Sequence, residues 1–137
     1  MDVKFFNEIN NDSMIVRNNV FVEEQGFIDE FDEIDNIATH IVLYDGQPFA
    51  TCRVFKDSTE DYIIGRFAVL FQYRGCGKGT ALLKIAEEFI KKSGGKHVKI
   101  HSQTRAKHFY ERSGYCSIGV EDYEECVAHI WLQKELI

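Results

Sequence analysis

The chain has 137 residues, 45% of them apolar and 13% aromatic, which suits one folded core over residues 1–137 and excludes a disordered chain. A net charge of −6 argues against a general nucleic-acid binder, and no apolar run approaches the roughly 18 residues of a membrane span. Cys52, Cys76, Cys116 and Cys126 form no CxxC pair or framework spacing, so free thiols are expected.

In chain order, Met1-Asp2-Val3-Lys4 does not lead a basic stretch into an apolar segment, and a cytoplasmic location is expected. Val3–Phe6 reads as a short strand. Asp12-Ser13 offers a cap for a helix over Met14–Gln25, with Gly26 as its stop. Phe27–Asn36 carries five acids and no base and reads as a loop or a short second helix. Thr39–Tyr44 and Phe49–Phe55 form a hairpin about Asp45-Gly46, and Tyr62–Leu70 adds a third strand after the polar turn Asp57–Asp61. The period then becomes helical over Gly77–Lys92, with Ala81, Leu82, Ile85, Ala86, Phe89 and Ile90 on one face and Ser93-Gly94-Gly95 at the end. His97–His101 is a strand, so the strand-helix-strand unit should be parallel. Thr104 is expected to cap a helix reaching Glu111 or Arg112. Tyr115–Val120 and Val127–Lys134 follow as strands around an acidic turn, Glu121–Glu125. The class is α/β with a mixed sheet: an antiparallel meander, then a parallel strand-helix-strand unit.

The charge is uneven. Residues 1–60 hold 13 acids and 4 bases, net −9, and residues 61–137 hold 9 acids and 12 bases, net +3. An anionic cofactor in one half and a cationic substrate in the other would produce this pattern, and so would ordinary surface variation.

Gln72-Tyr73-Arg74-Gly75-Cys76-Gly77-Lys78-Gly79-Thr80 lies between a strand and an amphipathic helix. Three alternate glycines let the backbone turn tightly and present successive N–H groups at a helix N-terminus, which is an anion site. Arg74 and Lys78 add positive charge, so a pyrophosphate is the expected ligand. A Walker A loop is excluded, because Gln72 stands where its first glycine belongs and Gly79 follows the lysine. A dinucleotide fingerprint fails at Thr80.

Gln72-x-x-Gly75-x-Gly77 resembles the acyl-CoA motif of the GNAT superfamily of N-acetyltransferases. Ala106-Lys107-His108-Phe109-Tyr110-Glu111-Arg112-Ser113-Gly114-Tyr115 resembles a second segment of that family, in the usual order and separation. The element order matches a GNAT domain over essentially the whole chain. Val20-Phe21-Val22-Glu23-Glu24-Gln25 is similar to the first helix of a bacterial subgroup acting on small molecules. Ala128-His129-Ile130-Trp131-Leu132-Gln133-Lys134 resembles the last-strand segment of glyphosate-acetyltransferase-like relatives.

The resemblance implies the GNAT acyl-CoA N-acyltransferase fold and transfer of an acetyl group from acetyl-CoA to a small-molecule or protein amine, by direct attack in a ternary complex. A CoA-binding module without catalysis would keep the same turn. The resemblance implies that Phe67, Ala68 and Val69 meet the pantetheine arm on a strand splayed from its neighbour, with Phe109 alongside. It places the pyrophosphate on Gln72, Arg74, Gly75, Cys76, Gly77, Lys78, Gly79 and Thr80. Tyr110 matches the tyrosine that protonates the leaving thiolate, and a phenol with a pKa of about 10 suits that role. His129 matches a base, or is a satisfied strand histidine; imidazole titrates in the right range for an ammonium acceptor. Glu23, Glu24 and Gln25 would lie at the acceptor cleft, attracting a cation with the Asp29–Asp35 run, or would be plain solvated surface. His40, His97, His101 and His108 have no motif support, and no metal, membrane or nucleic-acid partner is expected. A homodimer is implied by the resemblance alone.

Overall fold

The structure is a computed structural model that describes residues 1–27 and 31–137. Its strands are β1 (Asp2–Phe6), β2 (Thr39–Tyr44), β3 (Pro48–Lys56), β4 (Tyr62–Val69), β5 (His97–Gln103), β6 (Cys116–Glu124) and β7 (Val127–Glu135). They form a seven-stranded sheet in the order β1-β2-β3-β4-β5-β7-β6. Every pairing is antiparallel except β4 with β5. The expected mixed sheet is therefore present, with a meander from β1 to β4 and a β4–helix–β5 crossover.

Two helical layers cover the sheet. α2 (Lys78–Lys92) buries Leu82, Leu83, Ala86 and Ile90 against Ile41, Cys52, Val54, Ile64, Val98, Ile100 and Leu132. These even-numbered positions of β3, β5 and β7 share one face, as period-2 strands require. Gly95 is needed below the helix, because a Cβ there would stand 2.3 Å from Ile90. α1 (Asn11–Arg17) lies on the other face, where Thr51 and Arg53 meet Ser13 and the Arg17–Asp35 pair.

The first helix begins earlier than expected and changes form. Its cap is Asn10, whose Oδ1 accepts the Ser13 N–H at 2.9 Å. Asp12 sits in the first turn instead and accepts the Tyr44 hydroxyl at 2.6 Å. From Asn18 to Glu24 the helix widens into a π-helix, closing on bonds such as Gln25 N–H to Val20 O. The acidic stretch after it contributes a short 3₁₀ turn, Glu33–Asn36, closed by a reciprocal Asp32–Asp35 capping box. Asp29 and Glu30 lie outside the described residues.

Two later expectations are corrected. Thr104 caps neither helix: it opens a 3₁₀ turn, Thr104–Ala106, before the short α3 (Lys107–Glu111), and its buried Oγ1 has no hydrogen-bond partner among the described residues. The acidic segment Glu121–Glu124 is strand rather than turn. β6 runs on to Glu124, and the reversal is made by Glu125 and Cys126 alone, both at positive φ (48° and 67°), as in a type I′ hairpin.

Candidate active site

The geometry begins with a sheet that comes apart in the middle. β4 and β5 pair only at Tyr62↔Val98, Ile63↔Lys99 and Ile64↔Ile100. Beyond these, β4 continues to Val69 against β3, and β5 continues to Gln103 against β7. The two strands diverge, and among the described residues Gly65–Val69 has no strand partner on its β5 side. The divergence coincides with a bulge. Between the pairs Thr51↔Ala68 and Arg53↔Gly65, one residue of β3 (Cys52) stands opposite two of β4 (Arg66 and Phe67), and Arg66 takes φ 47°. The extra residue inverts the alternation beyond it. Phe67 and Val69 thereby join Ile64 on the α2 face, while Ala68 packs with Val16 and Val20 beneath the first helix.

The divergence opens a cavity of about 660 Å³. It passes between the strands, so it collects groups from both faces. Phe67 and Tyr110 border it from the α3 side, where the Phe67 ring packs on Phe109 (5.7 Å) and Tyr110 (5.8 Å). His101, His129 and Trp131 border it from the other side, on positions paired as His101↔Trp131 and Gln103↔His129. The structure therefore brings Tyr110 and His129, far apart in sequence, to one cavity. Burial holds the Tyr110 phenol well above its ordinary pKa, so it stays protonated near neutral pH. Its hydroxyl has no hydrogen-bond partner among the described residues. His129 is also buried, and its Nδ1 lies 2.9 Å from the Val127 carbonyl oxygen.

The glycine turn lies beside the unpaired end of β4. Gly75 and Gly77 take φ 78° and 83°, and nothing lies within 4 Å of where their Cβ atoms would stand. No side chain caps α2, and its first bond is Ala81 N–H to Gly77 O, so the N–H groups of Lys78, Gly79 and Thr80 face outward. Gly79 links the turn to the second motif, because a Cβ there would stand 3.2 Å from the Phe109 ring. An open, uncapped helix end with glycine backbone on its rim fits a pyrophosphate group. Gln72 and Cys76 are exposed on the turn, and Lys78 lies over the Phe49 ring.

Arg74 is placed differently. Its guanidinium forms two hydrogen bonds to Glu24 (2.7 and 2.8 Å), and its Nε donates to Val69 O at 2.8 Å. Arg74 thus ties the end of the first helix to the end of β4. The same bonds hold the Glu24 carboxyl below its ordinary pKa, outweighing burial, which alone would raise it. Of the three residues expected at the acceptor cleft, only Gln25 lines the cavity, accepting from Gln103 Nε2 at 2.8 Å. Glu23 and Glu24 do not line it.

Asp32 and Asp35, from the acidic run, are occupied by arginines. Asp35 is fully buried and binds Arg17 (2.7 Å) and Arg53 (3.0 Å); Asp32 binds Arg53 (2.6 Å) and Arg66 (3.2 Å). Burial alone would raise the Asp35 pKa, yet the Arg17 and Arg53 bonds outweigh it and bring it to about 2. Sequence reading missed His101, Asp122 and Glu124. His101 stacks on Trp131 at 4.6 Å, and its nitrogens meet Asp122 (2.8 Å) and Glu124 (3.3 Å). The signal was the strand register, which a five-residue turn would have destroyed. Among the other histidines, His97 binds Asp61 at 2.6 Å, His40 donates to the Asp35 carbonyl oxygen at 3.0 Å, and His108 meets Glu111 on the surface. No cluster that could hold a metal occurs among the described residues.

A splayed central strand, a glycine turn at a helix N-terminus and a through-sheet cavity define an acyl-CoA N-acyltransferase architecture. The model of the GNAT acetyltransferase domain matches residues 15–136, and the chain belongs to that family. A Bacillus subtilis protein named as an acetyltransferase is 34% identical over 126 residues, covering 88% of this chain and 85% of its own. The crystal structure of a Lactobacillus plantarum protein described as an N-acetyltransferase superposes with a TM-score of 0.90 at 30% identity, covering 99% of this chain and 98% of its own. Escherichia coli ElaA superposes at 0.87 with 25% identity, covering 98% of this chain and 100% of its own. The protein is an acyltransferase that uses an acyl-CoA and an acceptor. No helix among the described residues is long and apolar enough to cross a membrane.

Proposed function

We propose that the protein transfers an acetyl group from acetyl-CoA to a primary amine within one ternary complex, as a single catalytic domain over residues 1–137. The observation that supports this best is the early end of the β4–β5 pairing, which leaves a cavity bordered by Tyr110, His129 and the unpaired edge of β4. Acetyl-CoA supplies an activated thioester. Its pyrophosphate is assigned to the backbone of Gly75–Thr80, and its pantetheine arm to Phe67, Ala68 and Val69, with Phe109 as packing. Arg74 acts through its bonds to Glu24 and Val69 rather than by facing the phosphates.

The chain's own groups then divide the proton work. The Val127 carbonyl can only accept, so Nδ1 of neutral His129 carries the hydrogen and Nε2 keeps its lone pair. That lone pair takes a proton from the acceptor ammonium. The Tyr110 hydroxyl, protonated and unengaged, gives its proton to the departing sulfur. A backbone N–H at Val69 or beside it steadies the oxyanion. The acceptor is a cationic amine, on a small molecule or at an exposed protein site.

The test is the thermal shift of the protein with acetyl-CoA, CoA, ATP and NAD, followed by thiol release with a panel of amines. A ligand at about 100 times its Kd adds roughly 2.7 kcal/mol. Stabilisation by both CoA forms with amine-dependent thiol release supports the reading. CoA binding without turnover on any amine would favour a CoA-binding module, and a larger shift with ATP or NAD would sink both.

A further inference from the structure

At the β6–β7 end of the cavity, four titratable groups stand in file. Nε2 of His129, which carries the free lone pair, faces Oε2 of Glu124 across 3.8 Å. That separation is too wide for a hydrogen bond between them. Oε1 of the same Glu124 lies 3.3 Å from Nδ1 of His101, and Nε2 of His101 lies 2.8 Å from Asp122 Oδ1. The two histidines are sheltered, with side chains 7% and 18% exposed, whereas Glu124 and Asp122 are 52% and 53% exposed. The file thus leads from a buried base to open water. The flat stack of His101 on Trp131 (16° between planes) fixes the intermediate ring. Glu125 shares this end of the cavity with Gln103 and Arg105; across the gap, Arg53 and Arg66 are both paired with Asp32.

We propose that Glu124 anchors the acceptor ammonium in the gap before His129, and that Glu124, His101 and Asp122 carry the released proton to solvent. The proposal rests on the acetyl-transfer reading above. An ammonium in the gap donates one N–H to Nε2 of His129 and another to Oε2 of Glu124, a pair of bonds that an uncharged alcohol cannot make. Acetylating R–NH₃⁺ with a thioester breaks the acyl C–S bond and forms the C–N bond. The products are an amide, a thiol and one net proton. Of the two protons that leave nitrogen, one balances the thiol and one is taken by His129. Once the amide leaves, a water in the vacated gap passes the latter to Glu124, which protonates Nδ1 of His101 as Nε2 releases its hydrogen through Asp122 to water. Exchange with solvent returns His101 to its starting tautomer. Glu124, His101 and Asp122 are positioning residues that act through His129, with Glu124 also touching the acceptor.

The test uses the full chain, acetyl-CoA and three probe amines: phenethylamine, spermidine and a peptide with an N-terminal glycine. Thiol release is followed in dilute, non-transferring buffer with whichever amine the wild type acetylates. Glu124→Gln raises the KM for the amine about tenfold, as loss of a charge-assisted bond requires. His101→Phe, which keeps a ring against Trp131, and Asp122→Asn, on the surface, lower kcat about tenfold with little change in amine KM. Added imidazole restores the His101→Phe rate, which it could not do for a merely structural defect. Full kcat in both variants, or a loss that imidazole does not touch, overturns the relay; an unchanged amine KM in Glu124→Gln overturns the anchor. A wild type inert toward all three amines takes down the acetyl-transfer reading for these acceptors and the relay with it, an outcome visible before any variant is made.

Discussion

Tyr110→Phe isolates one oxygen atom. The ring contacts with Phe67, Phe109 and Tyr115 survive the change, because they are made by ring carbons. The hydroxyl has no partner among the described residues, so its removal leaves no orphaned donor or acceptor, and stability should change by less than about 1 kcal/mol. Turnover should respond differently. A positioned general acid is worth about 10²–10⁴ in rate, and a thiolate, whose conjugate acid has a pKa near 8.5, is a good leaving group that needs the lower end. A fall of about 100-fold in kcat is therefore expected, equivalent to about 2.7 kcal/mol of barrier. Thiol release at saturating acetyl-CoA and amine measures it, with thermal shift by CoA as the control for cofactor affinity. A kcat within twofold of wild type, with CoA binding intact, refutes the assignment.

His129→Ala should lower kcat by about 100-fold or more while leaving the CoA thermal shift in place, since its ring faces the acceptor end of the cavity. Gly79→Val puts a branched side chain where even a Cβ stands 3.2 Å from Phe109, and CoA affinity by calorimetry should fall about tenfold, with melting lowered by several degrees. Asp35→Asn leaves Arg17 and Arg53 buried without their shared counter-charge, which costs about 3–5 kcal/mol and is measured by urea unfolding. The Asp35 pKa is depressed in the folded state, to about 2 against about 3.9 unfolded. The stability it contributes is therefore complete above pH 4 and lost as pH falls toward 2; acid unfolding of wild type should show that limb, and Asp35→Asn should show it reduced to the part owed to carboxylates such as Asp32 and Asp61.

Much of the glycine-turn side of the cavity was legible because it is written in contiguous residues. The glycines from Gly75 to Gly79, the helical period of α2 and the Phe109–Tyr110 pair each depend on local chemistry, and the structure places them together through Gly79 and Phe109. The acceptor side was less legible. The resemblance put Glu24 at the cleft, with plain solvated surface as the alternative, but a guanidinium fifty residues away takes both its oxygens. Asp32 and Asp35 read as an attractive acidic surface by charge, and three arginines from separate elements neutralise them.

The sequence by itself determined the element order, the mixed sheet, the glycine turn and the family, because periodicity, glycine placement and motif spacing are properties of neighbouring residues. Only the tertiary structure decided where β4 leaves β5, which face Phe67 takes beyond the bulge, and which acids stand beside His129. Those outcomes depend on strand register. A positive φ at Arg66, or a two-residue reversal at Glu125-Cys126 in place of a longer turn, shifts whole strands of side chains, and register is settled by the packing of the entire sheet.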